Sequence, residues 1–285
     1  MTAPATEPLL SVTGLVKSFA PQQSVRDRLA RKPLKVVRAV DDVSFSVSRG
    51  RVLGIAGESG SGKSTTARCI TRLIEPDAGE IRFDGVDVRA AHGAALRNVR
   101  RRIQMVFQDP YASLNPRLSV GQAILEAGKV HGRLGAATHD QFVQEQLDKV
   151  RLPRMFATRK PRDLSGGQRQ RVAIARAMAT GPEVVIADEA VSALDVSIQT
   201  EIVNLFLDLR DDLGLAIVFV SHQLPVLAGI ADHIAVMRAG EIVEYGPTAE
   251  VFRSPKHAYT VALLAAHPHP DAGLAPARDS EDGSR

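Results

Sequence analysis

An α/β fold built around a largely parallel sheet is what this 285-residue sequence predicts, on three observations. Short apolar runs recur at Val52–Ala56, Val184–Ala187 and Ala216–Val220. Their lack of polar alternation marks strands buried on both faces. Stretches of helical periodicity lie between them, as in Ile202, Leu205, Phe206 and Leu209 of the segment 198–213. The first apolar run feeds directly into a glycine-rich turn, GESGSGKS at Gly57–Ser64, and then into a helical pattern.

In chain order, Leu9–Val16 and Val43–Val47 read as strands, separated by a basic, irregular insertion over 20–38. A helix is expected over Thr65–Leu73 after the glycine-rich turn. Ile81–Val88 reads as a hairpin, because Asp84-Gly85 is a residue pair that favours such turns. Ile103–Phe107 is a further strand. Residues 119–150 are helical, with breaks near Gly132 and Gly135, so that about 110–175 forms a helical subdomain inserted into the core. Gly166–Thr180 is helical, and Gly181-Pro182 bounds the strand that follows. Ile234–Met237 is a strand ahead of a turn at Gly240, and the composition of about 269–285 predicts a disordered tail.

Composition narrows the function classes. Aromatics make up 4% with no Trp, which argues against an aromatic platform for single-stranded nucleic acid. The net charge of +4 suits an anionic membrane face or nucleic acid and decides neither. Cys69 is the single cysteine, which excludes an intrachain disulfide and a cysteine-ligated cluster, and it reads as a small buried hydrophobe. No run approaches the ~18 apolar residues of a membrane span. The start MTAPATEPLL lacks a basic n-region and an apolar h-region, so the expected location is cytoplasmic, with membrane attachment through a partner.

The chemistry concentrates in two places. Gly57, Gly60 and Gly62 permit a backbone that turns several N–H groups toward one centre, a cradle for phosphates at a helix N-terminus. Glu58, Ser59, Ser61 and Thr65 complete that segment. Lys63 adds a point charge near the β- and γ-phosphates of a nucleotide, and the Ser64 hydroxyl can ligate Mg²⁺. Asp188 ends a buried strand, where its carboxylate emerges beside the loop and can hold Mg²⁺ through water. Glu189, one residue further, can polarise an attacking water. The second place is LSGGQRQR at Leu164–Arg171, where Ser165, Gly166 and Gly167 open a helix with free N–H donors. A Ser-Gly-Gly helix start by itself is more often only a cap. Together with the first loop it gives two phosphate-binding surfaces that cannot both serve one nucleotide in one subunit, which points to a dimer closing around ATP.

LSGGQ, GESGSGKS and VVIADE in combination resemble the ATP-binding subunit of ABC transporters over about Leu9–Pro268. The resemblance implies a RecA-like P-loop NTPase core with an antiparallel β subdomain beside the helical insertion, and an ABC domain over 1–268. It also implies ATP hydrolysis with Mg²⁺, in subunits packed head to tail. Ser165, Gly166, Gly167 and Gln168 of one subunit would complete the γ-phosphate site of the other. Gln108 matches the loop glutamine that reaches Mg²⁺ and senses the membrane subunit. Asp195, in SALD, matches the loop crossing the dimer interface, and His222 the histidine contacting the γ-phosphate. Phe19 is the nearest aromatic ahead of the loop; it either stacks on adenine or is an ordinary core residue.

FQDPYASLNPR, DEAVSALDVSIQ and the C-terminal HAYT segment are similar to the dipeptide/oligopeptide uptake branch, with a family extension over about 245–268, and within it PYASLNPR and VSALDVSIQ resemble the second ATPase subunit. That branch implies two membrane-spanning permease subunits, a paralogous ATPase or a second copy of this chain, and an extracytoplasmic solute-binding protein. It places the subunit peripherally on the cytoplasmic face of the inner membrane. Peptides, nickel or glutathione are the candidate cargoes, and nucleic acid is not an expected partner. Gln223 stands where most relatives carry Asp, and Ala258 where Pro is usual. The alternative class is a non-transport ATPase acting on DNA or ribosomes, with Arg97, Arg100, Arg101 and Arg102 as a possible footprint or simply a solvated helix face.

Overall fold

The computed structural model describes residues 7–20, 36–109, 113–135 and 137–266. Most of the basic insertion and the tail from residue 267 onward therefore lie outside the described residues, as does the disorder expected for that tail. Two sheets organise the rest. The antiparallel sheet has the order β2-β1-β4-β5, from β1 (Leu10–Phe19), β2 (Val37–Val47), β4 (Ala78–Phe83) and β5 (Val86–Asp87). The second has six strands in the order β10-β9-β3-β8-β7-β6. Its members are β3 (Val52–Ala56), β6 (Ile103–Val106), β7 (Val184–Asp188), β8 (Ala216–Val220), β9 (His233–Arg238) and β10 (Glu241–Pro247). All adjacent pairs are parallel except the edge hairpin β9-β10.

The apolar runs of β3, β7 and β8 are buried at every residue. Because side chains alternate across a strand, each run feeds two cores. Val185, Ala187, Ile217 and Phe219 face one side, packed with α3 (Val120–Val130), α4 (His139–Lys149), α5 (Gly166–Met178) and α6 (Val196–Leu213). Phe206 of α6 meets Phe219 edge to face, with centroids 5.6 Å apart. Val184, Ile186, Val218 and Val220 face the other side, against α1 (Lys63–Ile70) and the inner face of the antiparallel sheet. Cys69 lies fully buried in this second core, and burial pushes its thiol up to about 11.

Three helices between β6 and β7 open with one device. Ser119 with Gln122, Thr138 with Gln141 and Ser165 with Gln168 each form a capping box, the side chains reciprocally bonding backbone N–H groups. Boundaries differ from the sequence reading where special backbone intervenes. β2 begins at Val37 rather than Val43, because a left-handed residue at Asp42 breaks the alternation that would have revealed it. α1 begins at Lys63 and ends at Ile70, not Leu73: Gly62 is its N-cap, and Arg72 turns left-handed just beyond its end. α2 (Gly93–Arg102) carries the arginine run. Arg102 is ion-paired to Glu183 and Asp84, which raise its pKa, and Arg100 donates to the Arg72 carbonyl.

Beyond β8 and β10 come α7 (Leu224–Ile230), α8 (Thr248–Arg253) and α9 (Ala258–Ala265). Ala258 is the first residue of α9, where the N–H has no intrahelical partner and Pro is tolerated. His257 already holds φ −88° and ψ 134°, the region a following Pro requires. Ala258→Pro is therefore expected to stabilise the fold by about 0.4–1 kcal/mol through the unfolded chain. Urea denaturation measures it, and a destabilised variant would contradict the helix start assigned here.

Candidate active site

The loop Gly57–Gly62 leaves the C-terminal end of β3 and is held from outside by three other segments. A Cβ at Gly57, whose φ is 143°, would lie 2.3 Å from the Met237 carbonyl; one at Gly62, φ 107°, would lie 2.2 Å from that of Ala39. Neither position admits a side chain, by conformation or by space. The turn after β9 adds a bond from the Gly240 N–H to the Ser61 carbonyl at 2.9 Å.

Lys63 is 4% exposed, and its ammonium donates to the Gly57 and Glu58 carbonyls, each at 2.8 Å. Burial lowers its pKa, while Glu189, Asp188 and Glu58 act in the opposite sense. The Ser61 hydroxyl is buried with no hydrogen-bond partner among the described residues. An orphaned donor in a glycine-rich loop is what an anionic ligand would satisfy.

Opposite the loop, Ser64 Oγ donates to Asp188 Oδ1 at 2.7 Å, joining the first turn of α1 to the end of β7. Burial raises the Asp188 pKa, and the Ser64 bond works against that rise. One hydroxyl and one carboxylate oxygen at this separation suit Mg²⁺, which takes few protein ligands and completes its shell with water and phosphate oxygens.

Glu189 adopts φ 48°, uncommon for a residue with a side chain, and its N–H is fixed to the Val220 carbonyl at 3.0 Å. Its carbonyl accepts both the N–H and the hydroxyl of Ser192, at 3.1 and 3.0 Å. Gln108 Nε2 in turn reaches Ser192 Oγ at 3.5 Å, and His222 Nδ1 stands 3.5 Å from Glu189 Oε2. The structure thus gathers Gly57–Thr65, Gln108, Asp188, Glu189 and His222 at the C-terminal edges of β3, β6, β7 and β8, where open α/β sheets bind ligands.

Other sequence-predicted residues stand apart. Ser165 and Gln168 bond each other at the start of α5, and among the described residues no hydrogen bond links them to the phosphate loop. Gly167 needs its missing side chain for packing, since a Cβ there would lie 2.6 Å from Ile198 Cγ2. Asp195 is an exposed N-cap of α6 with no side-chain cap bond, and Val196 beside it is 78% exposed. Phe19 is 42% exposed at the end of β1, so it is not a core residue. It pairs with Val37, two positions along β2 from Ala39, whose carbonyl abuts Gly62. Gln223 is the N-cap of α7 without a side-chain cap bond. Sequence reasoning missed Tyr259, whose hydroxyl accepts the Glu58 N–H from 201 residues away. No local spacing encodes such a contact, although HAYT marked the segment.

A P-loop NTPase fold with an exposed Ser-Gly-Gly helix start away from the loop defines a class, and comparison assigns it. Residues 40–192 match the family described as ABC transporter, and 243–283 match the oligopeptide/dipeptide transporter C-terminal region. The chain belongs to the ABC transporter family. It is 48% identical over 271 residues to the "Glutathione import ATP-binding protein GsiA" of Pectobacterium atrosepticum, covering 95% of this chain and 43% of that protein. To the "Probable peptide ABC transporter ATP-binding protein y4tS" of Sinorhizobium fredii it is 46% identical, covering 95% and 75% respectively. This chain therefore spans less than half the length of the glutathione relative. Among solved structures it resembles a dimeric ATP-binding cassette in a post-hydrolysis state bound to ADP and Pi. The TM-score is 0.71 at 28% identity, over 84% of this chain and 98% of that one. It also resembles cbiO1 of Clostridium perfringens, part of the ABC transporter complex cbiONQ. There the TM-score is 0.73 at 26% identity, over 94% and 98%.

Proposed function

We propose that this chain is the ATP-hydrolysing subunit of an ABC importer for a peptide-like solute, glutathione being within that class. The observation that carries the reading is the meeting of Lys63, Ser64, Asp188, Glu189 and His222 at one sheet edge, with Ser165 directed elsewhere. Relatives named for glutathione and peptide import support the cargo class.

In this reading the triphosphate enters the loop, and Lys63 turns from the Gly57 and Glu58 carbonyls to the β- and γ-phosphates. Mg²⁺, held by side-chain oxygens of Ser64, Asp188 and Gln108, would offset phosphate charge. Glu189 accepts a proton from the attacking water as the bond to the leaving β-phosphate oxygen breaks. His222 fixes the Glu189 carboxylate and meets the γ-phosphate, and Phe19 stacks on adenine. Ser165, Gly166, Gly167 and Gln168 of a second cassette close the site, with Asp195 at the seam. That second cassette is a paralogue or another copy. Because ATP bridges the two, it favours the closed pair, and hydrolysis reopens it. Permease subunits receive this motion near Gln108. The chain would then sit peripherally on the cytoplasmic face of the membrane, within a system that includes an extracytoplasmic solute-binding protein. No helix among the described residues is long and apolar enough to cross a membrane.

Turnover per subunit should rise with protein concentration and level off as the dimer fills, alongside an ATP-dependent doubling of mass in sedimentation. A strictly monomeric preparation that hydrolyses ATP at one rate across all concentrations would overturn the composite site.

A further inference from the structure

We propose that Tyr259 is a positioning residue of the nucleotide site, tethering the phosphate loop to the C-terminal helix α9. The inference rests on reading Gly57–Ser64 as the ATP loop. The Tyr259 phenolic oxygen accepts the Glu58 N–H at 3.2 Å, and the same peptide group offers its other end, the Gly57 carbonyl, to Lys63 at 2.8 Å. One peptide plane at the mouth of the loop is therefore gripped from both sides. When Lys63 turns its donors toward phosphates, it releases its side of that plane, and the tyrosine bond remains to fix the loop.

The tyrosine is itself well anchored. The Arg238 guanidinium lies 5.0 Å from the ring centroid, and His257 Nδ1 caps α9 by accepting the Tyr259 N–H at 3.1 Å. The Glu244 carboxylate of β10 accepts the N–H groups of Lys256 and His257 at 2.8 and 3.0 Å. Strands β9 and β10 and the start of α9 thus converge to hold one phenol against the loop. This gives the HAYT segment a physical role: His257 caps the helix and Tyr259 reaches the nucleotide loop. It also makes the C-terminal region part of ATP recognition.

Tyr259→Phe in the full chain removes only the phenolic oxygen. A single hydrogen bond is worth about 2- to 10-fold in an equilibrium. The KM for ATP should rise by that factor with kcat within about twofold, and hydrogen exchange at the Glu58 amide should accelerate similarly, with the melting temperature lowered by no more than about 4 °C. Arg238→Gln, which loosens the ring seat and keeps the phenol, should shift both readouts in the same direction by less. That variant decides the matter if Tyr259→Phe does not fold. Unchanged KM and unchanged Glu58 exchange in a folded variant would overturn the tether, as would a fall in kcat at constant KM. A wild-type chain that bound no ATP would instead sink the nucleotide reading, and Glu58 exchange would still decide the tether.

Discussion

Glu189→Gln is expected to lower ATP turnover by about 10²–10⁴-fold, the usual span for removing a general base. Glutamine is nearly isosteric, and the backbone N–H bond to Val220 and the carbonyl bonds from Ser192 do not involve the side chain. The left-handed backbone at this position is therefore unaffected, and the loop keeps its form. What disappears is a carboxylate placed 3.5 Å from His222 Nδ1 and able to take a proton from water. ATP binding survives, so the closed dimer should accumulate and persist on sizing in the presence of ATP. A variant that still turned over nucleotide at the wild-type rate would remove Glu189 from the chemistry.

Lys63→Met should cut ATP affinity by about 10²–10⁴-fold, the effect of losing two charge-assisted hydrogen bonds to phosphate at about 1.5–3 kcal/mol each. Methionine keeps most of the apolar stem in a position that is 4% exposed, so packing is nearly conserved. The free protein also suffers, because the buried Gly57 carbonyl loses its donor at a cost of about 1–3 kcal/mol. Titration calorimetry with ATP reads the first effect and thermal unfolding without ATP the second. Burial holds the Lys63 pKa below that of an ordinary lysine. In the wild type, ATP affinity should therefore fall earlier on raising the pH than for an exposed lysine. Near-normal affinity in the variant would mean that backbone N–H groups alone bind the triphosphate.

Much of this was legible from sequence for a physical reason. Strands β3, β7 and β8 are buried at every position and, up to the Asp188 that ends β7, carry no charged residue because both faces are covered, and the glycine-rich loop must follow such a strand to sit at the sheet edge. Asp188 and Ser64 could be placed side by side in advance, since one ends a buried strand and the other opens the helix after the phosphate loop, both at the C-terminal edge of the sheet. The extent of β2 was not legible, because the irregular pairing with β1 erases its alternation. Nor were the supports at Ala39, Met237, Gly240 and Tyr259, which touch the loop through backbone or from far along the chain. Gly167 has a packing reason the sequence does not show, since Ile198 occupies the space a side chain there would need.

That close approach has a mechanical corollary. With Ile198 in the space a side chain of residue 167 would need, the first turns of α5 and α6 pack in close contact. Ser165 and Asp195 stand side by side in the fold as the N-caps of those two turns. In the proposed dimer a second cassette would therefore meet both helix starts on one contiguous surface.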